Sequence, residues 1–81
     1  QLHVRLRCEN RIMDQMIDNF GTEMKILKRD NESFITNVLV NKQGVLFLAQ
    51  QFMEAIEIIE PDNLRETMKE QLELTLQKYS R

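Results

Sequence analysis

The sequence has little of what most catalytic and metal-binding chemistry requires. Its 81 residues include one cysteine, one histidine, one proline, two glycines and no tryptophan. A single cysteine, Cys8, excludes an internal disulfide. Small secreted domains usually carry several disulfides, so their lack favours a reducing compartment, and the expected location is the cytoplasm. One His and one Cys, with no CxxC or HxxxH spacing, argue against a structural zinc site, and no cofactor is expected. Gly21 and Gly44 stand alone, too few for a glycine-rich phosphate loop. No apolar run reaches the length of a membrane span and no signal-peptide pattern opens the chain, so no membrane partner is expected. Excess positive charge is also missing. Thirteen acids against eleven Lys and Arg leave a net charge of −2, without the basic footprint of an autonomous duplex-DNA binder.

What is present is a globular balance, 42% hydrophobic and 30% charged. A chain this short buries about 60–65% of its unfolded surface, enough for one modest core. One domain over residues 1–81 is therefore expected. The chain opens on Gln1 inside a strand-like pattern, as expected of a piece of a longer protein.

Residues 2–8 alternate strictly. Leu2, Val4, Leu6 and Cys8 share one face and His3, Arg5 and Arg7 the other, the period of a half-buried strand. Asn10 reads as a helix N-cap. From Arg11 to Phe20 the period changes, with Ile12, Met13, Met16, Ile17 and Phe20 on one helical stripe and Gly21 as the stop. Residues 23–29 read as a strand, and Asp30-Asn31-Glu32 as a hairpin turn. Ser33 to Val40 has apolar residues on both faces and reads as a central strand. Residues 41–44 read as a turn, and Val45 to Met53 as a helix with Val45, Leu48, Ala49 and Phe52 inward, broadened by Leu46, Phe47 and Met53. Residues 55–59 form a short strand. Pro61 then suits a first helical turn, and Asn63 with Glu66 resembles a capping box. Leu64, Met68, Leu72, Leu76 and Tyr79 form the stripe of a last helix, with Glu66, Lys69, Glu70 and Glu73 facing away.

The element order β-α-β-β-α-β-α predicts an α+β fold, a ferredoxin-like β-α-β-β-α-β plait with an additional C-terminal helix. Right-handed crossovers put the two inner helices on one face of the sheet. The opposite face carries His3, Arg5, Arg7 and Asn37, and either the last helix or a partner must cover it.

Candidate chemistry is sparse. Cys8 and His3 lie on opposite faces of one strand and cannot form a nucleophile–base pair, so Cys8 reads as a small core residue. Most acids lie on solvent faces of helices, with no pair in contrasting surroundings. Arg5 and Arg7, side by side with His3 along one sheet face, are the candidate ligand or interface residues. They could grip a phosphate, a nucleotide or an acidic surface, or pair with acids such as Glu57. Aromatics for base stacking are missing from that face, whereas Ile35, Leu39 and Leu27 make it partly apolar, which favours a protein surface.

The opening VRLRC, the helix ending in NFG, the strand FITNVLV, the helix VLFLAQQF and the closing IIEPDNLRETMKEQLELTLQKY together resemble the C-terminal extension domain of WYL-domain bacterial transcriptional regulators. The family features fall on Val4 to Cys8, Phe20-Gly21, Val45 to Phe52, Glu60-Pro61, Leu64-Arg65, Leu72 and Tyr79, covering essentially the whole chain. In three places the chain departs from the pattern. Cys8 stands where an aromatic is usual, Trp is missing, and Met53 stands where the second helix usually ends in glycine. The resemblance implies a parent regulator with an N-terminal helix-turn-helix that contacts DNA and a central WYL domain that takes a nucleotide or oligonucleotide ligand, both outside this chain. It further implies a homodimer formed through the parent protein.

The leading expectation is thus a non-catalytic regulatory and dimerisation domain. The alternatives are a stand-alone small-molecule-sensing module on the same fold, or a nucleic-acid-binding module using the exposed sheet face. An acylphosphatase-like enzyme would need a phosphate-binding loop after the first strand, where this chain has only Glu9-Asn10.

Overall fold

A computed structural model describes residues 1–80. In it a four-stranded antiparallel sheet carries three helices. The elements are β1 (Leu2–Glu9), α1 (Met13–Phe20), β2 (Lys25–Arg29), β3 (Ser33–Val40), α2 (Lys42–Phe52), β4 (Ile56–Glu60) and α3 (Asp62–Lys78). Short 3-10 turns at Asn10–Ile12, Gly21–Glu23 and Met53–Ala55 link them. The sheet order is β2-β3-β1-β4, so β1 and β3 are central and β2 and β4 are edges.

The alternation of β1 and β3 does what the sequence predicts. Val4, Leu6, Cys8, Phe34, Thr36 and Val38 are all buried against the helices. Thr36 is the polar member of this set, and its hydroxyl donates to the Lys25 carbonyl at 2.9 Å, so burial leaves it satisfied. α1 adds Met16, α2 adds Val45, Leu46, Leu48 and Ala49, and α3 adds Leu64 and Met68 to the same core. Phe47 and Met53, expected to broaden the face of α2, are exposed instead, because that face is narrower than the run of apolar residues.

Helix starts depart from the sequence expectations in three places, at Asn10 and Asn63 because a tertiary or backbone partner is used. Asn10 caps nothing. Its N–H donates to the Glu32 carbonyl at 2.9 Å and its side-chain amide to the Asp30 carbonyl at 3.0 Å, clamping the β2–β3 turn to the end of β1. That turn is shaped by the Asp30 carboxylate, which accepts the N–H groups of Glu32 and Ser33 at 2.8 Å each. The two bonds, Glu32 first, hold the Asp30 carboxyl below its ordinary pKa. Residues 42–44 are the first turn of α2 rather than a preceding loop, capped by Asn41, whose side chain accepts the Gly44 N–H at 2.6 Å. A Cβ on Gly44 would come within 3.1 Å of that capping oxygen, which explains the glycine. Finally, α3 starts on Pro61, whose carbonyl accepts the N–H groups of Leu64 and Arg65 at 3.1 Å. Asn63 therefore lies inside the helix and forms no capping box.

α3 runs beside α2 along the β4 edge. Gln50 Nε2 donates to Gln71 Oε1 at 2.7 Å between the two helices, and Arg65 donates to the Ile58 carbonyl at 2.9 Å. The expected stripe of α3 splits in two. Leu64 and Met68 join the core, while Leu72, Leu76 and Tyr79 are exposed. The helix thus covers an edge of the sheet and leaves the face opposite α1 and α2 bare.

Candidate functional site

The bare face is built by register. Arg5 on β1 stands opposite Asn37 on β3, which stands opposite Lys25 on β2. One row on, Arg7 stands opposite Ile35, which stands opposite Lys28. On the other flank, Glu60 and Glu57 of β4 stand opposite Arg5 and Arg7. Crossing from β4 to β2, the face is acidic, then basic, then neutral to apolar at Asn37, Ile35 and Leu39, then basic again.

The arginines are partly engaged within the chain. Arg5 Nη1 lies 3.6 Å from Glu60 Oε1, and Arg5 Nε donates to Asn37 Oδ1 at 3.3 Å. Arg7 Nη1 donates to Glu57 Oε1 at 3.4 Å, and the other Glu57 oxygen accepts from Arg65 at 2.6 Å. These side chains are roughly half exposed, so each ion pair contributes at most about 1 kcal/mol. The pairs orient the guanidinium groups without burying them. His3, also on this face, lies opposite Leu39, is exposed, and takes part in none of these pairs. Of the three residues singled out from the sequence, two are therefore paired, Arg5 with Glu60 and Asn37 and Arg7 with Glu57, and the third is not.

Lys25, Lys28 and Glu60 complete the face but were not singled out from the sequence. The β2–β3 pairing shifts between Ile26 and Lys28, making Leu27 an extra residue, and that bulge decides which lysines share a side. Cys8 is buried on the inner side of β1, away from His3. Burial pushes its thiol up to about 12, which keeps it neutral and a poor nucleophile.

Apart from this face, a cleft of about 530 Å³ lies between the end of α2, β4 and α3. Its apolar lining is Ala49, Met53, Ile56, Ile58, Met68 and Leu72. Arg65, Lys69 and Glu73 form its charged rim on α3. The cleft depends on the path of α3 past the β4 edge, for which the stripe on α3 gives no signal. Among the described residues, no helix is long and apolar enough to cross a membrane. No protein-family model matches the chain, and no curated protein matches it.

Proposed function

We propose that the chain is a non-catalytic regulatory and dimerisation domain, similar to the C-terminal extension of WYL-domain transcriptional regulators. It works as an interaction surface, built on a ferredoxin-like plait with an additional helix. The strand order β2-β3-β1-β4, with α1 and α2 in one core layer, supports the plait. The observation that carries the functional reading is the uncovered sheet face, where Arg5 and Arg7 border the half-buried Ile35 and Leu39. A face that mixes oriented cations with apolar side chains fits a protein neighbour, with Arg among the residues favoured at interfaces. Glu57 and Glu60 on the same face weigh against a nucleic-acid backbone as its partner. In this reading the neighbour belongs to the parent regulator, and DNA and the nucleotide-type ligand are bound by its other domains.

The test is the double variant Arg5→Ser/Arg7→Ser in the full-length parent, followed by sedimentation. The dimer is expected to weaken while the melting temperature of the 81-residue chain moves little, because the lost ion pairs are exposed. A dimer of unchanged strength removes this face from the interface.

A further inference from the structure

α3 carries a stripe that runs past the body of the molecule. Arg65, Met68 and Leu72 fall on one line of the helix at i, i+3 and i+7, and Leu76 and Tyr79 extend it at i+11 and i+14. Exposure climbs along that line, from 8% at Met68 to 43% at Leu72, 64% at Leu76 and 84% at Tyr79. The first half of the stripe is a wall of the 530 Å³ cleft, and the second half is bare. One helix face is thus both the side of a socket and a projecting apolar plug.

A second copy of the chain fits both parts at once. When two α3 helices lie antiparallel about a two-fold axis near Leu72, the plug of each copy falls on the socket of the other. A two-fold contact repeats every interaction in this way. The charges agree with that direction. Lys69 and Glu73 flank the stripe on the same side, and among the described residues neither takes part in an ion pair. In an antiparallel pair the two-fold axis keeps these flanks on one side of the seam, so Lys69 of each copy approaches Glu73 of the other, whereas a parallel pair puts the two flanks on opposite sides.

We propose that two copies of this chain associate through antiparallel α3 helices, with Leu76 and Tyr79 of each copy seated in the cleft that the other forms between α2, β4 and α3. The proposal rests on the dimerisation reading and gives it a surface distinct from the Arg5 and Arg7 face. It is tested on the 81-residue chain alone, so its failure is separable from failure of the sheet-face experiment in the parent.

The experiment is sedimentation equilibrium of the wild-type chain, Lys69→Glu, Glu73→Lys and an equimolar mixture of the two variants. All are run up to about 500 µM to reach weak association. Both positions are exposed, and circular dichroism confirms that the variants fold. The wild type is expected to dimerise, and each single variant to weaken the dimer at least about tenfold, since it sets like charges together twice. The mixture should restore it as a heterodimer, because every contact again joins opposite charges. A wild-type chain that stays monomeric overturns the proposal and leaves the cleft to another occupant. Single variants that dimerise as tightly as wild type, or a mixture that fails to recover, overturn the antiparallel α3 contact.

Discussion

Replacing Met53 by glycine and by alanine probes a backbone feature that the two halves of the chain share. α1 and α2 end alike, with a residue that leaves the helix, a 3-10 turn and then an edge strand. The first such residue is Gly21, with φ 55° and ψ −130°. The second is Met53, with φ 50° and ψ −118°. Each donates its N–H to the carbonyl four residues back, Ile17 and Ala49 respectively. Glycine enters this region freely, but a residue with a Cβ is strained there by about 1–3 kcal/mol. Both substitutions remove the same half-exposed side chain, so the difference between them isolates the backbone. Glycine relieves the strain and gives back about 0.5–1 kcal/mol through its freer unfolded chain. Met53→Gly should therefore be more stable than Met53→Ala by about 1 kcal/mol, the reverse of the order at an ordinary position. For a domain of this size that is about 4–8 °C in melting temperature. Gly21→Ala is the mirror control. Nothing lies within 4 Å of the added Cβ, so its expected loss of about 1 kcal/mol is conformational. Thermal and urea melts of dilute protein, where self-association is negligible, measure all three. A Met53→Ala protein more stable than Met53→Gly would refute the reasoning.

Two further expectations concern the core and its thiol. Leu6→Ala, at a fully buried site in the central strand, should cost about 2–5 kcal/mol in urea unfolding. Leu72→Ala, at a position 43% exposed, should cost only about 1 kcal/mol in the dilute chain. Equal losses would mean that the distal half of α3 packs on its own molecule. Cys8 has its thiol raised from 9.0 to about 12 in the folded state, so its contribution to stability is complete below pH 9 and is lost between pH 9 and about 12. Alkaline unfolding should therefore be shallower in Cys8→Ala, and iodoacetamide should label native Cys8 far more slowly than the urea-unfolded chain. Rapid labelling of the native protein would contradict the burial.

The strands were legible to the degree that they are two-sided. β1 and β3 follow their alternation because each has one face sealed by helices, and Ser33–Val40 matches the predicted span. β2 was legible through Met24 and Ile26 alternating with charge, although all five residues of Lys25–Arg29 are exposed and no buried face enforces that pattern. Helix starts were the weak point. Asn10 and Asn63 are residue types that cap helices, but a carbonyl 20 residues away engages the first and Pro61 takes the place of the second. Period two was enough to set Arg5 beside Arg7, because neighbours on one strand face need no tertiary information. Their acidic and basic flanks needed the pairing of β1 with β4 and the bulge in β2. The cleft depends on the direction in which α3 leaves Pro61, and the stripe on α3 is silent about that.

The position of β1 has a consequence for how the molecule assembles. This strand lies between β3 and β4, and its Arg7 contacts Glu57 across 50 residues of sequence. During synthesis β1 emerges well before either neighbour. It can pair on one side once the β2–β3 hairpin forms, and the other side stays open until Ile56–Glu60 arrives. Closure of so long a loop precedes the contacts that stabilise it, which places the rate-limiting step late and slows folding relative to a helical bundle of equal length. A nascent chain halted before β4 would leave one edge of β1 unpaired and the core without Ile56, Ile58, Leu64 and Met68, the state most open to chaperone capture.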